Sequence, residues 1–145
     1  MNDRSVRTTI VGLLVIASIA TVSGAADRRI PLEPSTYADW RAAGLDGTGC
    51  YWSRRKEGPV LVAASGRTAV TRMAGRVVVL KPDARARALF PFTYDAWAGP
   101  GLTIRIEDGG VIRAMGDETV TTDATITVRR HGIVTRLRGS MICGS

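Results

Sequence analysis

From residue 50 onward the chain is a series of short segments in which apolar and polar residues alternate with period two, and this pattern constrains the fold more than any other feature. Leu102-Thr103-Ile104-Arg105-Ile106-Glu107 and Thr125-Ile126-Thr127-Val128-Arg129 put every second side chain on an apolar face. That alternation belongs to strands with one side buried and the other in water. Residues 59–64, 68–73 and 76–81 read as further strands, the last a β-branched run stopped by Pro82. Ser65-Gly66-Arg67, Ala74-Gly75, Asp108-Gly109-Gly110, Gly116-Asp117-Glu118 and His131-Gly132 supply turns between them. With residues 50–53, 111–115 and 133–143 added, about eight short strands result. The expected fold is all-β: a small antiparallel meander closed as a barrel or folded as a sandwich.

Two segments depart from this pattern. In residues 26–48 the spacing predicts a tether and one short N-terminal helix. Ser35 or Thr36 can cap it, Asp39 completes a short capping box, and Gly44 ends it. Tyr37, Trp40 and Ala43 form its apolar stripe, with Trp40 expected to plug the end of the core. The second segment, residues 81–101, reads as a long structured loop. Asp83 can cap a single helical turn over residues 84–89, and Phe90, Phe92, Tyr94 and Trp97 follow within eight residues. Such a loop either packs itself onto the core or presents an aromatic face to a ligand.

The first 25 residues have the layout of a secretory signal peptide. Arg4 and Arg7 precede an apolar run over residues 10–22, and Ser23 and Ala25 occupy the small-residue positions of a cleavage site. That run is short of the roughly 20 residues a spanning helix needs. Removal of the leader leaves one domain of about 120 residues, with the β region at 49–145 and no transmembrane segment. The expected location is periplasmic or secreted.

Export narrows the chemistry of the two cysteines. Gly47-Thr48-Gly49-Cys50 imitates an acylation site, but charged residues, among them Asp27, Arg28, Arg29 and Asp39, separate it from the apolar run. A zinc site needs three or four ligands at short spacing, and the chain has Cys50, Cys143 and the single His131. An exported thiol is ordinarily oxidised. The expectation is therefore a Cys50–Cys143 disulfide, with the inward parity of Ile133, Thr135, Leu137, Met141 and Cys143 placing it at the core. Neither a metal nor a cofactor is implied.

The chain carries 20 Arg and Lys against 13 Asp and Glu, a formal charge of +7. In an exported protein that excess draws it to anionic surfaces, while export disfavours nucleic acid as a partner. Arg54, Arg55 and Lys56 are consecutive and crown a turn. Arg129, Arg136 and Arg138 lie on strands that, paired as a hairpin, bring them to one face. Like charges so gathered repel unless an anion or acidic partner meets them. The binding face expected from the sequence is thus Arg54, Arg55, Lys56, Arg129, Arg136 and Arg138, flanked by Tyr94 and Trp97. The function that follows is a non-enzymatic binding domain of the bacterial envelope. Its partner would be an anionic envelope component or an acidic protein. No nucleophile elbow, phosphate-cradling loop or zinc signature is present, and no catalytic residue is assigned. A hydrolase using His131 with Asp117, Glu118 or Asp123 is a third alternative.

The signal peptide, the eight short strands and a disulfide from the first strand to the chain end give the mature chain a layout that resembles the periplasmic and membrane-bound inhibitors of c-type lysozyme. Those are small antiparallel barrels that block lysozyme with a serine–glycine loop ahead of an aromatic or basic residue. Ser65-Gly66-Arg67 matches that loop, without the tyrosine that follows it in the family. The resemblance implies, as the second alternative, a protein inhibitor acting through this turn.

Overall fold

The computed structural model describes residues 29–45, 47–90 and 93–145; the expected signal peptide lies outside them. Eight strands close into an antiparallel barrel in which each is paired on both sides. In chain order the elements are α1 (Tyr37–Ala42), β1 (Gly49–Ser53), β2 (Val60–Ser65), β3 (Thr68–Met73), β4 (Arg76–Pro82), β5 (Ala88–Phe90), β6 (Thr93–Tyr94), β7 (Ala96–Gly99), β8 (Leu102–Met115), β9 (Thr119–Arg130) and β10 (Ile133–Gly144). Around the barrel the order is β1-β10-β9-β8-β7-β4-β3-β2, with β5 and β6 forming a separate hairpin between β4 and β7. No described helix is long and apolar enough to cross a membrane.

The alternation read from the sequence is the alternation found. Leu102, Ile104 and Ile106 of β8, and Ile126 and Val128 of β9, point into the core, and the charged or hydroxyl residues between them point out. Cys143 and Met141 are likewise buried. The barrel closes where β1 meets β10, and there Cys50 lies directly opposite Cys143 in the ladder. The two are joined as a disulfide, their Cα atoms 4.1 Å apart.

The strand count agrees with expectation although two of its members differ. Asp108-Gly109-Gly110 does not turn the chain back. β8 runs straight through it for 14 residues, with register shifts against β9 between Asp108 and Ala114. The Asp108 carboxylate accepts a hydrogen bond from the Gly110 amide at 3.0 Å, and Gly110 has φ of 69°. Those are the features of a glycine bulge, which uses the same residues as a tight turn. The strand lost by this merger is replaced by β7, inside the segment expected to be a loop. Residues 84–89 form no helical turn either. Asp83 accepts from the Arg85 amide at 2.9 Å and its carbonyl from Ala86 at 2.9 Å, a simple turn into β5. The buried Asp95 carboxylate then holds the hairpin, accepting from the Arg87 amide at 2.7 Å.

Thr36 is the N-cap of α1, with the reciprocal Asp39 bonds in place, and Gly44 follows at φ 75°. Trp40, however, does not plug the barrel. It lies on the outside with Leu45, Ala63, Val70 and Tyr51, in a second apolar cluster. Ala63 and Val70 are small apolar residues on the outer parity of β2 and β3, and α1 is the element that keeps them from water. Ile30 enters the main core instead, its amide donating to Thr135 Oγ1 at 3.0 Å.

Candidate functional site

The β1–β2 connection carries Arg54, Arg55 and Lys56, all exposed. Its backbone is tied down locally: the Arg55 carbonyl accepts from Ser53 Oγ at 2.8 Å and from the Gly58 amide at 2.9 Å. These three cations sit at the mouth of an open cavity of about 490 Å³, whose lining also includes Arg113, Asp123 and Arg138. Arg138 comes from β10 and reaches the cavity because Ser53 at the end of β1 pairs with Ser140. Arg113 comes from β8, beyond the bulge.

Five cations therefore face one carboxylate in this lining. Asp123 is engaged by Arg113, which donates through both Nε and Nη2. That hydrogen bond holds the Asp123 carboxyl below the ordinary carboxylate range, against an opposing desolvation effect. The Arg113 guanidinium is raised in turn by the same bond. Among the described residues no carboxylate forms an ion pair with Arg54, Arg55, Lys56 or Arg138. The floor is made of small or hydroxyl groups, Gly109, Ala124, Thr125, Gly139 and Ser140. Guanidinium and ammonium groups gathered around an open floor of small residues suit phosphate, sulfate or carboxylate groups, which arginine can bind with two parallel N–H bonds.

Gly139 is what lets the floor and the core share one strand. A Cβ there would overlap the Ser53 carbonyl oxygen and the Trp52 indole. Gly139→Ala is expected to cost about 1–3 kcal/mol or more through overpacking. It should also loosen the β1–β10 seam beside the cavity. Thermal melting checks this, and an unchanged midpoint would show that the seam can open without cost.

Of the other residues expected on the binding face, Arg136 is on the outer face of β10 but is paired with Glu107 at 2.5 Å. Arg129 also points outward, at the opposite end of β9, where it borders two smaller cavities away from Arg54. The hairpin of β9 and β10 does hold Arg129, Arg136 and Arg138 on one face, yet only Arg138 joins the loop cations. Trp97 is wholly buried (0% exposed) and donates from Nε1 to the Tyr94 carbonyl at 3.0 Å, so it is a core residue rather than a contact surface. Tyr94 stacks edge-on against Trp97, and the Arg67 guanidinium lies 5.8 Å from its ring. The Ser65-Gly66-Arg67 turn thus sits beside Tyr94, with Ser65 Oγ donating to the Thr48 carbonyl at 2.6 Å. Arg113 is not among the site residues that the sequence suggests, and Asp123 is suggested only as a partner of His131. The Asp-Gly-Gly bulge reads as a turn, which separates Arg113 in sequence from the strand it belongs to.

His131 lies in the β9–β10 turn at φ 47°, exposed. Asp123 is eight residues back along an extended strand, on the order of 25 Å away. Asp117 and Glu118 precede the same strand and are farther still. The described residues hold no cluster of metal-ligating side chains. No family profile, characterised protein or solved structure matches the chain.

Proposed function

We propose that this is an exported binding domain whose basic cavity holds an anionic component of the bacterial envelope. The single observation that supports it most is the gathering of Arg54, Arg55, Lys56 and Arg138 around one cavity whose one carboxylate, Asp123, is taken by Arg113. Like charges held together by a tied-down loop are unfavourable in the empty state, and an anion relieves them. The N-terminal leader pattern and the disulfide support an oxidising location outside the cytoplasm.

The test is sedimentation with isolated envelope fragments at low and high salt. Retention at about 50 mM salt should fall steeply by 0.5 M, because the contacts are made at a screened surface. The double variant Arg54→Glu, Arg55→Glu should bind at least about tenfold more weakly, given roughly 1.5–3 kcal/mol for hydrogen bonds to charged groups. Arg129→Glu, outside the cavity, should bind as the unaltered protein does. Retention that ignores salt, or that survives the double reversal, sinks the proposal.

A further inference from the structure

β4 is paired unequally on its two sides. Toward β3 it makes five register pairs, from Ala69–Leu80 to Met73–Arg76. Toward β7 it makes two, Lys81–Ala98 and Pro82–Trp97. The cause lies in the next strand. β7 ends at Gly99, and Pro100, with no N–H to offer a ladder, leads into the turn at Gly101. Along Arg76 to Val79 no described strand pairs with β4 on that side, where Gly99 only packs against the Val79 carbonyl. On the far side of the β7–β8 turn, β9 ends at Arg130, one residue past the Thr103–Arg129 pair.

The gap between these edges is a notch of about 570 Å³, lined by Met73, Arg76, Val77, Val79, Pro100 and Arg130 among others. Val77 and Val79 are 40% and 41% exposed, an apolar pair on a strand edge that faces water. Arg76 at its start is the one charged residue on that edge, and no bulge interrupts it. Arg130 adds a polar demand. Among the described residues its Nε is buried without a partner, and its Nη1 donates only to the Met73 sulfur at 3.4 Å, a weak acceptor. Among the described residues no carboxylate lines the notch.

We propose that the notch takes a short extended segment of an acidic partner protein, added as a strand along Arg76 to Val79. Apolar side chains of that segment cover Val77 and Val79, and an Asp or Glu side chain meets Arg130. Four residues of strand span about 13 Å, so the segment is short. Charge selects this occupant over a second copy of the chain, because pairing two such edges would bring the arginines of two +7 chains together. The site is separate from the cavity at Arg54, and neither proposal depends on the other.

A set of acetylated and amidated hexapeptides tests this, alternating Thr and Val with Glu moved through each position, so that the side chain supplies the only carboxylate. Fluorescence anisotropy with the full chain should find at least one register that binds, and its Gln counterpart should bind tenfold or more weakly. Arg130→Gln should erase the Glu–Gln difference, and N-methylation of the peptide backbone should abolish binding. Amide NMR shifts should centre on residues 76–79, with Arg54→Glu leaving the affinity unchanged. Three results would each overturn the proposal. One is that no register binds below about 1 mM. Another is equal affinity for Glu and Gln peptides. The third is a dimer in sedimentation that Val77→Lys dissolves, which would assign the edge to a second copy.

Discussion

Replacing Cys50 and Cys143 together by alanine is expected to lower the melting temperature by roughly 15–20 °C. The disulfide closes a loop of 93 residues in sequence separation, and the chain-entropy relation for such a loop gives about 4–5 kcal/mol. At the size of this domain each kcal/mol moves the midpoint by roughly 4 °C. The placement makes the effect larger in consequence than in number. β1 and β10 are the first and last barrel strands, and their five register pairs close the barrel. In the unfolded chain the cross-link holds the two edges of that seam near each other. Without it, closure must draw together the most distant parts of the chain. Scanning calorimetry of the double variant, beside the unaltered protein with and without reductant, decides the matter. A drop of less than about 5 °C would mean that the β1–β10 ladder closes the barrel unaided.

The second large effect is expected at Trp52. It is 1% exposed, and its Nε1 donates to the Ala124 carbonyl at 3.1 Å. The indole starts on β1, crosses the bare backbone of β10 at Gly139 and ends on β9. Three strands are thus joined through one side chain. Trp52→Ala should cost about 3–5 kcal/mol, from the lost burial and the cavity left behind. Trp52→Phe keeps most of the volume and should cost about 1–2 kcal/mol, leaving the Ala124 carbonyl without its partner. Chemical denaturation separates the two, since both should shift the midpoint with little change in slope. An alanine variant within about 1 kcal/mol of the unaltered protein would show that the seam does not depend on the indole.

The strand class of the fold was legible because alternation is a one-dimensional pattern imposed by a two-residue period. Leu102, Ile104 and Ile106, or Ile126 and Val128, declare their buried face before any partner is known. The disulfide was legible for a related reason: the inward parity of β10 and the scarcity of alternatives left Cys50 and Cys143 to each other. β7 was not legible. Ala96-Trp97-Ala98-Gly99 offers no polar alternation, and a barrel position rather than local pattern makes it a strand. The Asp108-Gly109-Gly110 bulge is indistinguishable from a turn in sequence, because hairpin turns and glycine bulges ask for the same residues. The sequence does not assign Trp40 to its cluster, because a helix stripe says that it is covered, not by what.

The same division holds for the site. The sequence alone determined that Arg54, Arg55 and Lys56 stand together, since neighbours in the chain are neighbours in space. It also determined that Arg136 and Arg138 share the outward side of their strand. Only the tertiary structure decided that Arg138 and Arg113 join the loop while Arg129 and Arg136 do not. It also placed Trp97 in the core. Which residues meet across strands depends on register, and register was set here by a bulge in β8 and by the closing pair Cys50–Cys143. Both act at long range, where the period of the local pattern carries no information.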